Sequence, residues 1–137
     1  MSASDTISTS DAGVASAMTF GPVTRTDLVR YAGASGDFTP LHHDEVFCKE
    51  AGFPMPFAMG MFSAGLMGTW LTDRIAPHRV RRFRIRFLQQ VWPGDVLTID
   101  GELPDHLDAG FEVEISCTRA DGAAVTRVWA TVAALAE

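Results

Sequence analysis

From Ala51 to Thr72 the chain carries no charged residue, in a sequence of 137 residues of which 20% are charged. No other stretch limits the fold so strongly. On length alone the run could cross a bilayer. But Pro54 and Pro56 break its first third, so a helix can begin only near Ala58 or Met59. From there to Leu71 it reaches about 20 Å at ~1.5 Å per residue, short of the ~30 Å hydrocarbon core. A helix from about Met59 to Ile75, apolar on nearly every face but too short to span, belongs inside a globular core. The sequence therefore predicts no membrane partner, and other elements must be wrapped around this helix.

Upstream, Thr24 with Asp27 three residues later makes a capping-box start, and Leu28, Val29, Tyr31 and Ala32 give the helix that follows an apolar side. Gly33 or Gly36 ends it. Asp44 is the expected N-cap of a second, short helix stopping at Gly52. Downstream of the apolar run the period changes to alternation. In RRFRIRF, Phe83, Ile85 and Phe87 point one way and Arg82, Arg84 and Arg86 the other. A Pro93-Gly94 turn feeds a strand from about Asp95. FEVEISCTR alternates again, and ADG at 120–122 turns the chain into a last strand. Helices followed by strands with one wet face each define an α+β domain with an antiparallel sheet. A curved sheet around the central helix, the hotdog fold, is the economical arrangement. The small, polar residues 1–17 are expected to form a disordered tail without the basic start of a signal peptide, leaving 18–137 as the single domain.

A net charge of -6 argues against nucleic acid as a partner. Cys48 and Cys117 are isolated, which fits a reduced, cytoplasmic compartment.

The chemistry concentrates in GDFTPLHHD, residues 36–44. Asp37 and His42 lie five apart, roughly 16 Å in an extended chain, but Pro40 favours a turn that folds them toward one point. A carboxylate and an imidazole flanking one water form a general acid–base pair. No Ser or Cys stands between them as nucleophile, which points to adding or removing water, with no cofactor required. Gly60 opens the apolar helix, where the first N–H groups have no intrahelical partner and can hold a polarised carbonyl oxygen. Pro54, Met55, Pro56, Phe57, Met61 and Phe62 are the candidate apolar walls. Ser63 either lines this pocket or bonds back to a carbonyl, the second being favoured. Ser35 reads as a helix-end residue within reach of Asp37, and His43 as a solvated neighbour. Adjacent His42 and His43 point apart, so no metal site is expected.

YAGASGDFTPLHHD followed by FAMGM resembles the MaoC-like, (R)-specific enoyl-CoA hydratases and 3-hydroxyacyl-thioester dehydratases. FRIRFLQQVWPGDVLTIDGEL is similar to their later strand-turn-strand. The resemblance covers about residues 22–135. It implies a hotdog homodimer, or a heteromeric assembly, acting on acyl-CoA or acyl-carrier-protein thioesters. Asp37 and His42 would activate the water, and the Gly60 N–H would polarise the thioester carbonyl. Ser35, Thr39, Phe57, Met59 and Met61 would bind substrate. Thr39 stands where the family usually has Asn, and Met59 where it usually has His.

Arg82 and Arg84 are candidates for the phosphates of CoA or the acidic surface of a carrier protein. Two alternatives share the fold. A hotdog thioesterase often places a carboxylate early in the central helix, and no acid lies between Glu50 and Asp73. A non-catalytic subunit would more naturally have lost Asp37 or His42, and both are present.

Overall fold

The computed structural model describes residues 17–107 and 109–134. The expected tail therefore lies, but for Ala17, outside the described residues. Nine elements follow in order: β1 (Met18–Phe20), α1 (Arg25–Ser35), a 3-10 turn (Pro40–His42), α2 (Glu45–Glu50), α3 (Gly60–Ile75), β2 (Arg79–Phe87), β3 (Leu97–Gly101), β4 (Phe111–Arg119) and β5 (Ala124–Ala133). The strands form one antiparallel sheet in the order β1-β3-β4-β5-β2. α3 packs against β2, β3, β4 and β5, which is the hotdog arrangement.

Local signals set the helices. Thr24 caps α1 through its side chain, which accepts from the Asp27 N–H, while the Asp27 carboxylate accepts from the Thr24 N–H at 2.7 Å. Gly36 ends the helix at φ 74°, a left-handed conformation that glycine adopts without strain. Asp44 caps α2 by accepting from the N–H groups of Val46 and Phe47.

The core lies between α3 and the inner face of the sheet. Met67, Trp70, Leu71 and Ile75 of α3 meet Leu97, Ile99, Ile115, Val125 and Val128, all fully buried. Each such large side chain contributes about 2 kcal/mol of hydrophobic stabilisation. Phe62 joins this core, edge-on to Phe20 at 5.6 Å and Tyr31 at 5.7 Å, and forms no part of the cavity described below.

Two features depart from the sequence expectations. β1 has only three residues, too few for an alternating pattern to register, and it exists through its pairing with β3. And α3 is covered on one side only: Met61, Gly65, Thr69 and Thr72, on one stripe at helical spacing, are exposed. The sheet reaches around the other side of the helix and leaves this one open.

Candidate active site

The acid–base loop is held first by its own residues. The Ser35 hydroxyl accepts from the Asp37 N–H at 3.2 Å. Thr39 donates to Asp37 Oδ1 twice, from its hydroxyl at 2.7 Å and its N–H at 3.2 Å. These two bonds, with a smaller contribution from His42, hold the Asp37 pKa below its ordinary value against a slight opposing effect of burial. Asp37 is thus kept as an ionised acceptor, with Oδ2 left over. Thr39 supplies the local hydrogen bonds at this position without an amide side chain. His43, exposed as expected, also braces the loop by donating Nε2–H to the Phe38 carbonyl at 3.1 Å.

A second set of bonds clips the loop to the segment entering α3. The Leu41 carbonyl accepts from the Phe57 N–H at 3.2 Å and from the Cys48 thiol at 3.2 Å. His42 Nδ1 lies 2.7 Å from the Phe57 carbonyl. A carbonyl can only accept, so Nδ1 carries the hydrogen, and in the neutral ring Nε2 is the basic nitrogen. That Nε2 faces Asp37 Oδ2 at 3.7 Å, with the His42 side chain only 10% exposed. The separation is too long for a direct hydrogen bond. Both atoms are acceptors, so one water can donate a hydrogen to each of them. Phe57 also packs edge-on against the imidazole at 5.4 Å, which fixes the ring plane.

Asp37 and Phe57 line a cavity of about 380 Å³ together with Ala58, Met59, Gly60 and Met61. Met59, the N-cap of α3, makes no side-chain capping bond. The Gly60 and Met61 N–H groups have no acceptor among the described residues and stand at the positive end of a 16-residue helix. Gly60 leaves room here for a neighbouring ring. A Cβ on it would come within 2.9 Å of the Phe87 ring, another part of the cavity wall.

The structure thus brings Asp37, Phe57, Met59, Gly60 and Met61 to the cavity, places His42 against Asp37 and Phe57 but outside the lining, and sets Ser35 and Thr39 behind Asp37 as its supports. Pro54, Met55 and Pro56 do not line the cavity. Arg82 and Arg84 are not brought to it either. Both are exposed on the face of β2 opposite Phe87, with the Arg84 guanidinium 5.2 Å from the Trp129 ring. Phe87, Leu88, Gln89, Gln90, Val91 and Thr126 complete the wall. The alternation of β2 already pointed Phe87 inward, but the sequence carries no mark on Gln89, Gln90 or Thr126. Ser63 does both things weighed for it: its hydroxyl donates to the Gly60 carbonyl at 3.0 Å and it lines the cavity. Among the described residues no group of three or more His, Cys, Asp or Glu side chains is arranged to hold a metal ion.

A five-stranded antiparallel sheet around a central helix defines a hotdog protein, and in this one an Asp/His pair stands beside a cavity at the helix N-terminus. The profile of the MaoC like domain matches residues 14–125, and the chain belongs to that family. Enoyl-CoA hydratase 2 of Arabidopsis thaliana, a peroxisomal protein, is 38% identical over 66 residues, covering 46% of this chain and 21% of its own length. The chain thus spans about a fifth of that relative. Among solved structures, the ChsH1-ChsH2 complex of Mycobacterium tuberculosis superposes with a TM-score of 0.77 at 20% identity, covering 93% of this chain and 100% of the other. The (R)-hydratase of A. caviae, involved in PHA biosynthesis, gives 0.75 at 20% identity with the same coverage. At these identities the likeness to the solved structures is one of fold.

Proposed function

We propose that the protein is a hydro-lyase that adds water to 2-enoyl thioesters, or removes it from (R)-3-hydroxyacyl thioesters, of CoA or an acyl carrier protein. One observation carries this reading: the Phe57 carbonyl ties up His42 Nδ1–H, so that a basic Nε2 stands 3.7 Å from an ionised Asp37. In hydration, a water held by both groups gives one proton to Nε2 as its oxygen bonds to C3. The electron pair of the C2–C3 double bond moves onto the thioester oxygen, which the Gly60 N–H holds. The enolate then collapses and C2 takes a proton back from the imidazolium. Dehydration runs the same steps in reverse. Met59 and Met61 line the acyl path with flexible apolar surface.

The domain proposed for this chemistry runs over residues 18–137, with 1–17 as a tail. A second subunit is part of the proposal, either another copy or a related hotdog chain. β2 is an edge strand with one side of its ladder unpaired, and the stripe through Met61, Gly65, Thr69 and Thr72 on α3 is open. Two buried free thiols, Cys48 and Cys117, fit a cytoplasmic setting. No helix among the described residues is long and apolar enough to cross a membrane.

Incubation with crotonyl-CoA and a longer enoyl-CoA tests the reading. Loss of the enone absorbance without release of thiol is the expected result. Free thiol would replace it with a thioesterase. If neither signal appears with the chain alone but turnover appears with an added hotdog partner, the chain is the non-catalytic or incomplete half of a heteromer.

A further inference from the structure

Ser63 on α3 and Thr126 on β5 are the polar side chains that the described core buries, each 1% exposed. They meet across the gap between helix and sheet at 2.7 Å, oxygen to oxygen, and both line the cavity. The proton of Ser63 is already committed, because its hydroxyl donates to the Gly60 carbonyl at 3.0 Å. With that bond made, the short bond between the two hydroxyls takes its proton from Thr126. With both protons placed, the pair can show the cavity only lone pairs. No other group among the described residues donates to either oxygen.

The place of this pair in the cavity matters as much as its polarity. Past Ser63 in the chain, α3 lends the lining no further residue, and β5 lends it only Thr126. Further inward along the same elements Met67, Leu71 and Val128 are fully buried and close the way. An acyl chain entering from the Asp37 end thus meets an acceptor pair after a short apolar stretch. A plain alkyl end would cover these oxygens and offer them no donor, which is unfavourable for buried polar groups. A keto or carboxylate end would set lone pairs against lone pairs. A hydroxyl end supplies the missing donor.

We propose that Ser63 and Thr126 form a subsite for a hydrogen-bond donor on the acyl group, so that the preferred thioesters carry a hydroxyl on a short chain. The proposal rests on the cavity taking the acyl part of a thioester, as in the proposed function, but does not depend on turnover. Its test uses S-alkyl and S-(ω-hydroxyalkyl) thioethers of CoA, from propyl to hexyl, which can be neither hydrated nor hydrolysed. Calorimetry on the full chain is expected to show, at one chain length, the hydroxylated ligand binding about tenfold tighter than the alkyl ligand of that length, the discrimination that one buried hydrogen bond supports. The double variant Ser63→Ala with Thr126→Val, which removes both acceptors, reverses the order, and Thr126→Ser keeps it. Equal or tighter binding of the alkyl ligand at every length in the wild-type chain overturns the subsite. So does a preference that persists in the double variant. If neither series binds, the acyl ligand and the subsite fall together. Crotonyl-CoA hydration without a hydroxyl preference removes the subsite alone; the preference without hydration removes only the hydro-lyase reading.

Discussion

Asp37 and Ser63 border the same cavity and are held there by different means. Asp37 is part-exposed, and its side chain is held by Thr39, two residues along the chain, with Ser35 supporting its backbone. Ser63 is fully buried, and its partner Thr126 is 63 residues away on another element. A site held by its own loop can be altered one residue at a time while the fold stands. A site held by core packing couples chemistry to stability, because removing one partner leaves the other buried without its bond. The chain has put Asp37 on the first kind of support and a candidate specificity element on the second, while His42 takes its Nδ1 partner from Phe57, 15 residues along the chain.

The sharpest way to break that comparison is to remove the loop chemistry. Asp37→Asn and His42→Ala are each expected to cut turnover by at least ~10²-fold, the contribution of one general acid–base group, and Asp37→Asn to leave the thermal midpoint little changed. Near-normal hydration rates in either variant would take both residues out of the mechanism. A large drop in midpoint would instead show that the loop, too, is bound up with the core.

Gly60 stands at the junction of the two supports, since it lines the cavity and its carbonyl accepts from Ser63. Gly60→Ala is expected to lower kcat by about tenfold, less than the full loss of an oxyanion donor, as its Cβ pushes against the Phe87 ring. Adding Phe87→Ala to the same chain removes the obstacle and is expected to recover most of that loss. Failure of the double variant to recover would show that Gly60 acts through backbone conformation and not through room for the ring.

Thr39→Val probes the loop more gently. It removes the hydroxyl that is the largest cause of the lowered Asp37 pKa, so that pKa must rise. The sign follows directly: Asp37 acts as its anion, so the acid limb of the kcat/KM profile moves to higher pH. At neutral pH the loss is about fivefold, the scale of one ordinary hydrogen bond. An unmoved acid limb would mean that the limb reports another group.

These differences explain what could be read from the sequence. The capping box at Thr24, the cap at Asp44, the turn at Pro40 and the Asp37–His42 pairing all rest on partners a few residues apart. Local chemistry declares such features, and the central apolar helix declared itself by the charges it lacks. β1 escaped because three residues cannot show a period. The Phe57 carbonyl that selects the His42 tautomer escaped because any residue has a carbonyl there. Thr126 escaped because it is one of several threonines in alternating strands, and only the β5–α3 packing gives it Ser63 as a partner. The inward and outward faces of β2 were legible, yet the outward one does not serve the cavity.

That last point separates a third polar group from the other two. Neither Arg82 nor Arg84 has an ion-pair partner among the described residues, and both project from the sheet face that does not meet α3. Exposed charges of this kind act over about one Debye length and weaken with salt. Arg82→Gln with Arg84→Gln is therefore expected to leave kcat and KM for crotonyl-CoA within about twofold of wild type. With a carrier-protein thioester the same variant should raise KM at low ionic strength, and the difference should fade as salt is added. A change in kcat would place these arginines with the reacting groups after all. A KM for the carrier thioester that is unmoved at every ionic strength would leave them as the solvated face of an edge strand, whose like charges discourage stray strand pairing.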